Sequence, residues 1–444
     1  MHQLNRSRFV ALSMRFVCAA VVAGAGAATA SANSNFPIRP ILDAAVDLDG
    51  VAEPIAIDGG SISTGIVHRD AASRNFIFRA IWPDADGDGF GDAGLYAVNA
   101  GTGVIITLRG SNFGAGLRNP SRPAFMGADA ATVVFYDEIN NDPGLWTQQV
   151  VPPDMIVAPD MIVAPDMLSD IGNPVLSENG MAYFRATDSS SGDPGIYAVP
   201  AAGGDFVTLI GENFGGTRVQ GQPSVNSAGD IAFRAIDDKG QPGIYTVSSD
   251  GGLSGTVPNF PFPPSSFSEP TINEQGDIAF SARIEDPDTG AISNPLFGFE
   301  AGGEAVSLLY EPAAGLEIRE TGNVVCWGDN SHRSNGDPFL VFGLVADTDR
   351  GLETDGLVES IVALFDPFGA AEAQTVVSVG DELLGSTISL LTFSASAMDE
   401  RGELAFYAEL ADGRSGIFAV TIPAPGAGAL FALVALGVAR RRRN

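Results

Sequence analysis

The chain predicts an all-β fold, a β-propeller of about seven blades, on three observations. An eight-residue phrase recurs at near-constant spacing, short alternating apolar runs follow each copy, and turns rich in Gly and Asp separate those runs. The phrase reads Asn226-Ser-Ala-Gly229-Asp-Ile-Ala232-Phe233, then Asn273-Glu-Gln-Gly276-Asp-Ile-Ala279-Phe280, then Asp399-Glu-Arg-Gly402-Glu-Leu-Ala405-Phe406. A looser copy, Ser177-Glu-Asn-Gly180-Met-Ala-Tyr183-Phe184, precedes them. A period in the forties marks stacked units, none of which buries a core alone. A parallel β-solenoid is the alternative, although its rungs are usually shorter than these.

Aligned on the last residue of the phrase, the units fall at Phe78, Phe135, Phe184, Phe233, Phe280, Cys326 and Phe406. The gaps from Phe135 to Cys326 are nearly equal, the first is somewhat longer, and the last is much longer. The first two units keep only the apolar end, and the unit at Gly322-Asn-Val-Val-Cys326-Trp327 keeps the Gly. The long last gap predicts an insertion around Asp347 to Gly356. Within the phrase, Asn, Asp or Ser caps its own turn and Gly takes positive φ. Ile-Ala-Phe then begins a strand, with Ala where sheets approach closely and Phe between neighbouring sheets. A second strand follows, as in Gly195-Ile-Tyr-Ala-Val199 and Gly243-Ile-Tyr-Thr-Val247, and a third after a Gly-rich turn, as in Phe206-Val-Thr-Leu-Ile210. Such runs are antiparallel strands. Helical segments are expected only at the two termini.

At 444 residues there is room for one large repeat array, and 45% hydrophobic residues suffice for its core. Acids outnumber bases 54 to 24, for a net charge of −30. Seven of the bases lie in the terminal segments (Arg6, Arg8, Arg15 and Arg440 to Arg443), which carry no acid, so the body has 17 bases against 54 acids, a net of −37. This surface repels nucleic acid and anionic membranes and attracts divalent cations.

Residues 1–32 read as a signal peptide: three arginines, an apolar run from Phe16 to Ala30, and a cleavage site at Ala30-Ser31-Ala32. Its removal leaves Cys326 as the one cysteine, so no internal disulfide is expected and the exported chain holds by packing. Cys326 lies at an apolar strand position and reads as core. Residues 422–444 run from Ile422-Pro-Ala-Pro-Gly426 through an apolar stretch to Ala439 and end on Arg440 to Arg443. The stretch is shorter than the roughly 20 residues of a spanning helix, and its arginines would stay on the cytoplasmic side. A plain C-terminal membrane anchor is one reading of this tail.

The order of Pro-containing motif, short apolar segment and Arg cluster resembles the PEP-CTERM sorting signals that bacterial exosortases recognise. Pro423-Ala424-Pro425 stands where that family usually has Pro-Glu-Pro. The repeated phrase resembles the NxxGxxAF tandem repeat of bacterial surface proteins, over most of residues 60 to 421. The resemblances imply a repeat propeller over residues 33–421, a sorting or anchor segment over 422–444, and an exosortase-type enzyme as processing partner. The implied location is the cell surface or extracellular matrix. They imply no activity.

The acidic loop Asp84-Ala-Asp86-Gly-Asp88-Gly89-Phe90-Gly-Asp92 is the strongest candidate site. Carboxylates at alternate positions let one loop wrap a hard cation with oxygen ligands. Position twelve is Leu95 rather than the Glu of an EF-hand, and the spacing resembles calcium loops in hairpins of integrin-type propellers. Asp84, Asp86, Asp88 and Asp92 would bind Ca2+ through side chains and Phe90 through its carbonyl; the alternative is a plain polar turn. Asp237-Asp-Lys-Gly240, Asp286-Pro-Asp288 and Asp412-Gly413 read as ordinary turns, and the irregularly spaced Asp43, Asp47 and Asp49 as a solvated one.

Catalytic chemistry finds little support. The mature chain has two histidines, His68 and His332; Asp329, Ser331 and His332 are too close in sequence to converge as a triad. No zinc spacing, phosphate-binding Gly loop or nucleotide fingerprint is present. The Arg after the phrase, in Phe184-Arg185-Ala186 and Phe233-Arg234-Ala235, reads as surface pairing with the acidic excess. The perfect duplication Asp154-Met-Ile-Val-Ala-Pro159, Asp160-Met-Ile-Val-Ala-Pro165 reads as an exposed loop that tolerates insertion. The expected function is that of a non-catalytic, calcium-stabilised, monomeric surface protein binding extracellular polysaccharide or protein. A secreted propeller enzyme acting on glycans is the alternative.

Overall fold

In the computed structural model the phrase builds the turn that its residues imply. Gly229 and Gly276 both adopt φ of +88°, where a side chain would be strained. Asn226 Oδ1 accepts a hydrogen bond from the Asp230 amide (2.8 Å), and Asn273 Oδ1 accepts from those of Gln275 (3.0 Å) and Asp277 (2.7 Å). Each turn feeds a strand whose Ala and Phe are fully buried. The structure describes residues 36–422 apart from connecting segments, chiefly 44–55, 65–74, 82–92, 110–123, 150–159, 329–338 and 347–357; both predicted terminal helices lie outside it.

Seven antiparallel sheets are formed among the described residues. In the fourth, Arg218–Val225, Ile231–Ile236, Pro242–Val247 and Leu253–Thr256 pair in sequence order. The first blade has the same meander, through Ala56–Thr64, Asn75–Ile81, Ala93–Asn99 and Ile105–Arg109, and the others follow it. The first strands of blades one to six lie against one another in turn, so they line the axis and the fourth strands form the rim.

The apolar cores run between sheets rather than within them. Phe233 packs back against Ile196 of the third blade, beside Val219 of its own, whereas its neighbour Ala232 packs forward with Phe267 and Phe280 of the fifth. Phe280 repeats this against the fourth blade and Ala279 against the sixth. Alternation along a strand therefore puts Phe on one face and Ala on the other, the large-to-small fit that wedge-packed sheets require. Phe78, Phe184, Phe233 and Phe406 each stack on the ring opposite on the next strand, at centroid distances of 5.7 to 6.1 Å. Glycine opens the third strand because the rim strand closes in: a Cβ on Gly144 would sit 2.7 Å from the Val163 carbonyl oxygen.

The ring is closed. Ile38–Asp43, near the chain start, pairs with Ser415–Thr421, so the seventh blade takes its rim strand from the opposite end of the chain. One apolar cluster joins Phe339 and Ile361 of blade six, Phe406 and Phe418 of blade seven, and Phe78 and Tyr96 of blade one. A closed circuit of cores between neighbouring sheets excludes the solenoid alternative.

Two sequence expectations are corrected. Cys326 does not mark the sixth blade's second strand. It lies in Val325–Gly328, on the axial side, and Phe339–Ala346 is the second strand. The residue equivalent to the phrase Phe is Phe342, opposite Val362 at the same rim-strand bulge that follows Leu95, Leu145, Ile196 and Leu296. Gly322-Asn-Val-Val resembles the phrase because inner and second strands draw on the same apolar residue types. With Phe342 in place of Cys326, the last two gaps, Phe280 to Phe342 and Phe342 to Phe406, become nearly equal. The duplicated hexapeptide is also not wholly a loop: its second copy supplies Asp160–Val163, the rim strand of blade two, with Val163 buried.

Candidate functional site

Each blade has two ends. At one lie the phrase turn and the turn into the rim strand; at the other lie the connections from second to third strand and from the rim to the next blade. At the phrase end the acid after the Gly is a bridge. Asp230 Oδ1 accepts from the Ser249 amide and Asp277 Oδ1 from that of Ala301, both at 2.9 Å, so each phrase turn pins the rim turn of its own blade. In blade seven the same position is Glu403, with a side chain only 4% exposed, which accepts from Arg39 Nε at 3.0 Å and forms an ion pair with Arg39 Nη2. There the acid holds the closing strand.

Polar links also join successive blades. Asn226 Nδ2 donates to the Asn273 carbonyl (3.3 Å), the Ser227 amide to Glu274 Oε1 (3.0 Å), and the Ile272 amide to Ser224 Oγ (3.2 Å). Earlier in the inner strand, Gln222 Nε2 donates to the Asn173 carbonyl (2.6 Å) and the Gln222 amide to Glu269 Oε1 (2.9 Å). Asn173-Pro174, Gln222-Pro223 and Glu269-Pro270 are one recurring step in the inner strand. Sequence reasoning missed it, although a polar residue before Pro at spacings of 49 and 47 is legible there. The expected surface role of the Arg pair is corrected as well: Arg234 Nη1 donates to the Phe267 carbonyl of the next blade, and the Nε atoms of Arg185 and Arg234 are buried. The residue after Phe faces a neighbouring sheet, where carbonyls are closer than carboxylates.

The opposite end carries what departs from the repeat. The predicted ligands Asp84, Asp86, Asp88, Phe90 and Asp92 lie outside the described residues, but their flanking strands pair to their last residues, Ile81 opposite Ala93. Residues 82–92 therefore connect the second and third strands of blade one. Residues 347–359, which contain the predicted insertion, make the same connection in blade six. The two longest connections of this class thus belong to blades flanking the seventh. His68, Asp329, Ser331, His332, Asp286 and Asp288 lie outside the described residues, as do Asp47 and Asp49, whereas Asp43 ends the closing strand.

The described turns at this end use one device: an Asp binds the amides of its own turn. Asp188 accepts from the amides of Ser190 (2.7 Å) and Ser191 (3.1 Å), Asp237 from those of Lys239 (2.9 Å) and Gln241 (2.7 Å). Asp412 accepts from the Arg414 amide (3.1 Å), Nε and Nη2. The Ser190 hydroxyl and the two amides hold the Asp188 carboxyl below its ordinary value, and the Arg414 side chain does so for Asp412. Burial raises the Tyr197 and Tyr245 hydroxyls, helped by Asp188 and Asp193 beside the first and Asp237 and Asp238 beside the second. These acids are turn residues, as expected for Asp237 and Asp412. Among the described residues no group of three or more His, Cys, Asp or Glu could hold a metal.

No protein-family model matches the chain, and comparison with curated proteins gives no match. Among solved structures it is similar to the β-propeller domain of the Trilobed protease from Pyrococcus furiosus, described as having an open velcro topology. Identity is 9%, over 81% of this chain and 93% of that one, with a TM-score of 0.46. It is also similar to the polysaccharide lyase Uly1 (11% identity, 81% and 90% of the two chains, TM-score 0.44) and to TolB from Acinetobacter baumannii (12%, 78% and 79%, 0.35). At these values the likenesses say nothing of chemistry, and the propeller assignment rests on strand pairing and the closed circuit of cores.

Proposed function

We propose that this is an exported, non-catalytic propeller that presents the end opposite its phrase turns to extracellular polysaccharide or protein. The observation that carries the reading is strand direction. Ser415–Thr421 runs toward the phrase end, where the Ile422 amide donates to the Gly402 carbonyl (2.8 Å), and Ile38 lies opposite Val420. A tail that begins at residue 422 and anchors in the membrane would hold the phrase end inward. The connections 82–92 and 347–359 would then point away from the cell. The PEP-CTERM-like tail would pass to an exosortase-type enzyme, with surface display or release into the matrix as the outcome.

Calcium would stabilise the first of these connections, with Asp84, Asp86, Asp88 and Asp92 supplying carboxylates and Phe90 a carbonyl. A hairpin closed at Ile81 and Ala93 holds such a loop's ends together, which lowers the entropy lost on wrapping an ion. The polar groups near the axis, Asn173, Gln222 and Glu269, bind neighbouring blades, which suits a scaffold. Melting of the exported chain with calcium and with a chelator tests the ion: a raised melting temperature is expected, and an unchanged one rejects it. A glycan array tests the ligand class, and release of product there would replace the binding role with the glycan-degrading one.

A further inference from the structure

We propose that the two copies of the duplicated hexapeptide compete for one position, the rim strand of blade two, and that their exchange moves one hexapeptide's length of chain from one end of the ring to the other. The second copy occupies the position: Asp160 pairs with Thr147, Met161 with Trp146 and Val163 with Leu145. Val163 is 1% exposed in the core shared with blade three, and Ile162 packs against that core. The first copy, Asp154 to Pro159, has the same residues in the same order immediately before it. Any contact that the second copy's side chains make in this slot, the first can make.

Register does not forbid the exchange. A slip by one residue would turn every side chain to the opposite face, but a slip by a whole hexapeptide, an even number, restores each to its own. Nor do the connections forbid it. Counted from the last residues paired between third and rim strands, the occupied arrangement leaves 148–159, a longer connection than 199–206 in blade three or 248–252 in blade four. With the first copy in place that connection shortens to 148–153, inside the range of its sister blades. The following connection, from the rim to Leu168, lengthens from 164–167 to 158–167. Its counterparts after blades three, four and one are 211–217, 257–265 and 110–123, so the longer form is ordinary for this fold. Closure entropy grows only with the logarithm of loop length, so halving one loop and lengthening the other about two-and-a-half-fold nearly cancel.

The exchange has a direction in the fold. Shortening the first connection withdraws chain from the phrase end, and lengthening the second adds it to the opposite end, the end that carries the connections 82–92 and 347–359. The duplication would thus adjust the length of a loop there without altering the blades.

Single and double substitutions in the full exported chain test this. Val163→Asp puts a charge into a buried slot, which in a fixed register is among the most damaging changes. With exchange, the first copy takes the slot, and the melting temperature of Val163→Asp should stay within about 2 °C of the parent. Val157→Asp alone should do the same. Val157→Asp with Val163→Asp leaves no intact copy and should melt about 5 °C or more lower, or fail to fold. The proposal is overturned if Val163→Asp alone falls as far as the double variant, if Val157→Asp alone falls appreciably, or if the double variant melts like the parent.

Discussion

Blades three to five and blades six, seven and one hold their ring together by different chemistry. In the first arc, hydrogen bonds at the repeat spacing link Asn226 to Asn273, Ser227 to Glu274 and Gln222 to both Asn173 and Glu269, beside separate apolar clusters. In the second, one continuous cluster crosses two blade boundaries, and the closing strand adds Leu42 and the Arg39–Glu403 pair, with Phe36 just before it. The physical reason is continuity of chain. Neighbouring blades of the first arc are covalent neighbours, and local polar links at the repeat spacing suffice between them. The seam joins Arg39 to Glu403, from opposite ends of the sequence, so its closure entropy must be offset by contacts formed all at once.

The largest expected effect lies in the apolar arc. Phe406, fully buried and stacked on Phe418, joins the seam cluster; Phe406→Ala should cost about 4 kcal/mol in urea unfolding. Asn226→Ala, in the other arc, removes bonds to Asp230 and Asn273 from a residue 3% exposed and should cost about 2 kcal/mol. Equal losses from the two would erase the distinction between the arcs.

A smaller effect depends on pH. Burial, with the Glu409 carboxylate to which it donates, pushes the Tyr407 hydroxyl up to about 12, while Ser415 acts the other way. The folded chain therefore keeps a proton that the unfolded chain loses near 10, and stability falls as pH rises from about 10 through about 12. Tyr407→Phe should flatten that alkaline limb, and a tyrosinate absorbance step at 10 for this residue would contradict it. Smallest of all, the Asp188 carboxyl, in a turn of the polar arc, is held below 3.8 by Ser190 and Ser191. Its contribution is present above the ordinary carboxylate value and is lost as pH falls below it. Carboxyl titration by NMR should place its midpoint below that of Asp188 in the unfolded chain.

The sequence made the blade legible because its information is local. Asn226, Gly229, Ala232 and Phe233 act through a turn and one strand, and they repeat often enough to reveal the unit. The sixth blade was misread for the same reason: Gly322 to Cys326 satisfies the local pattern, while the choice of Phe342 depends on pairing with Val362 on the following strand. The Arg after the phrase was misread because its partner, the Phe267 carbonyl, belongs to the next blade. For the candidate site, the composition of the loop from Asp84 to Asp92 was evident, and its place at one end of the ring was not.

The repeat by itself therefore determined the all-β class, the unit and an approximate blade number, since those follow from turn chemistry and alternation within a single repeat. Tertiary structure alone decided that the ring closes, that Ile38–Asp43 completes the last blade, and that both ends of the described chain meet at the phrase end. Those are pairings between residues remote in sequence, chosen by which edges remain open once all the blades have formed.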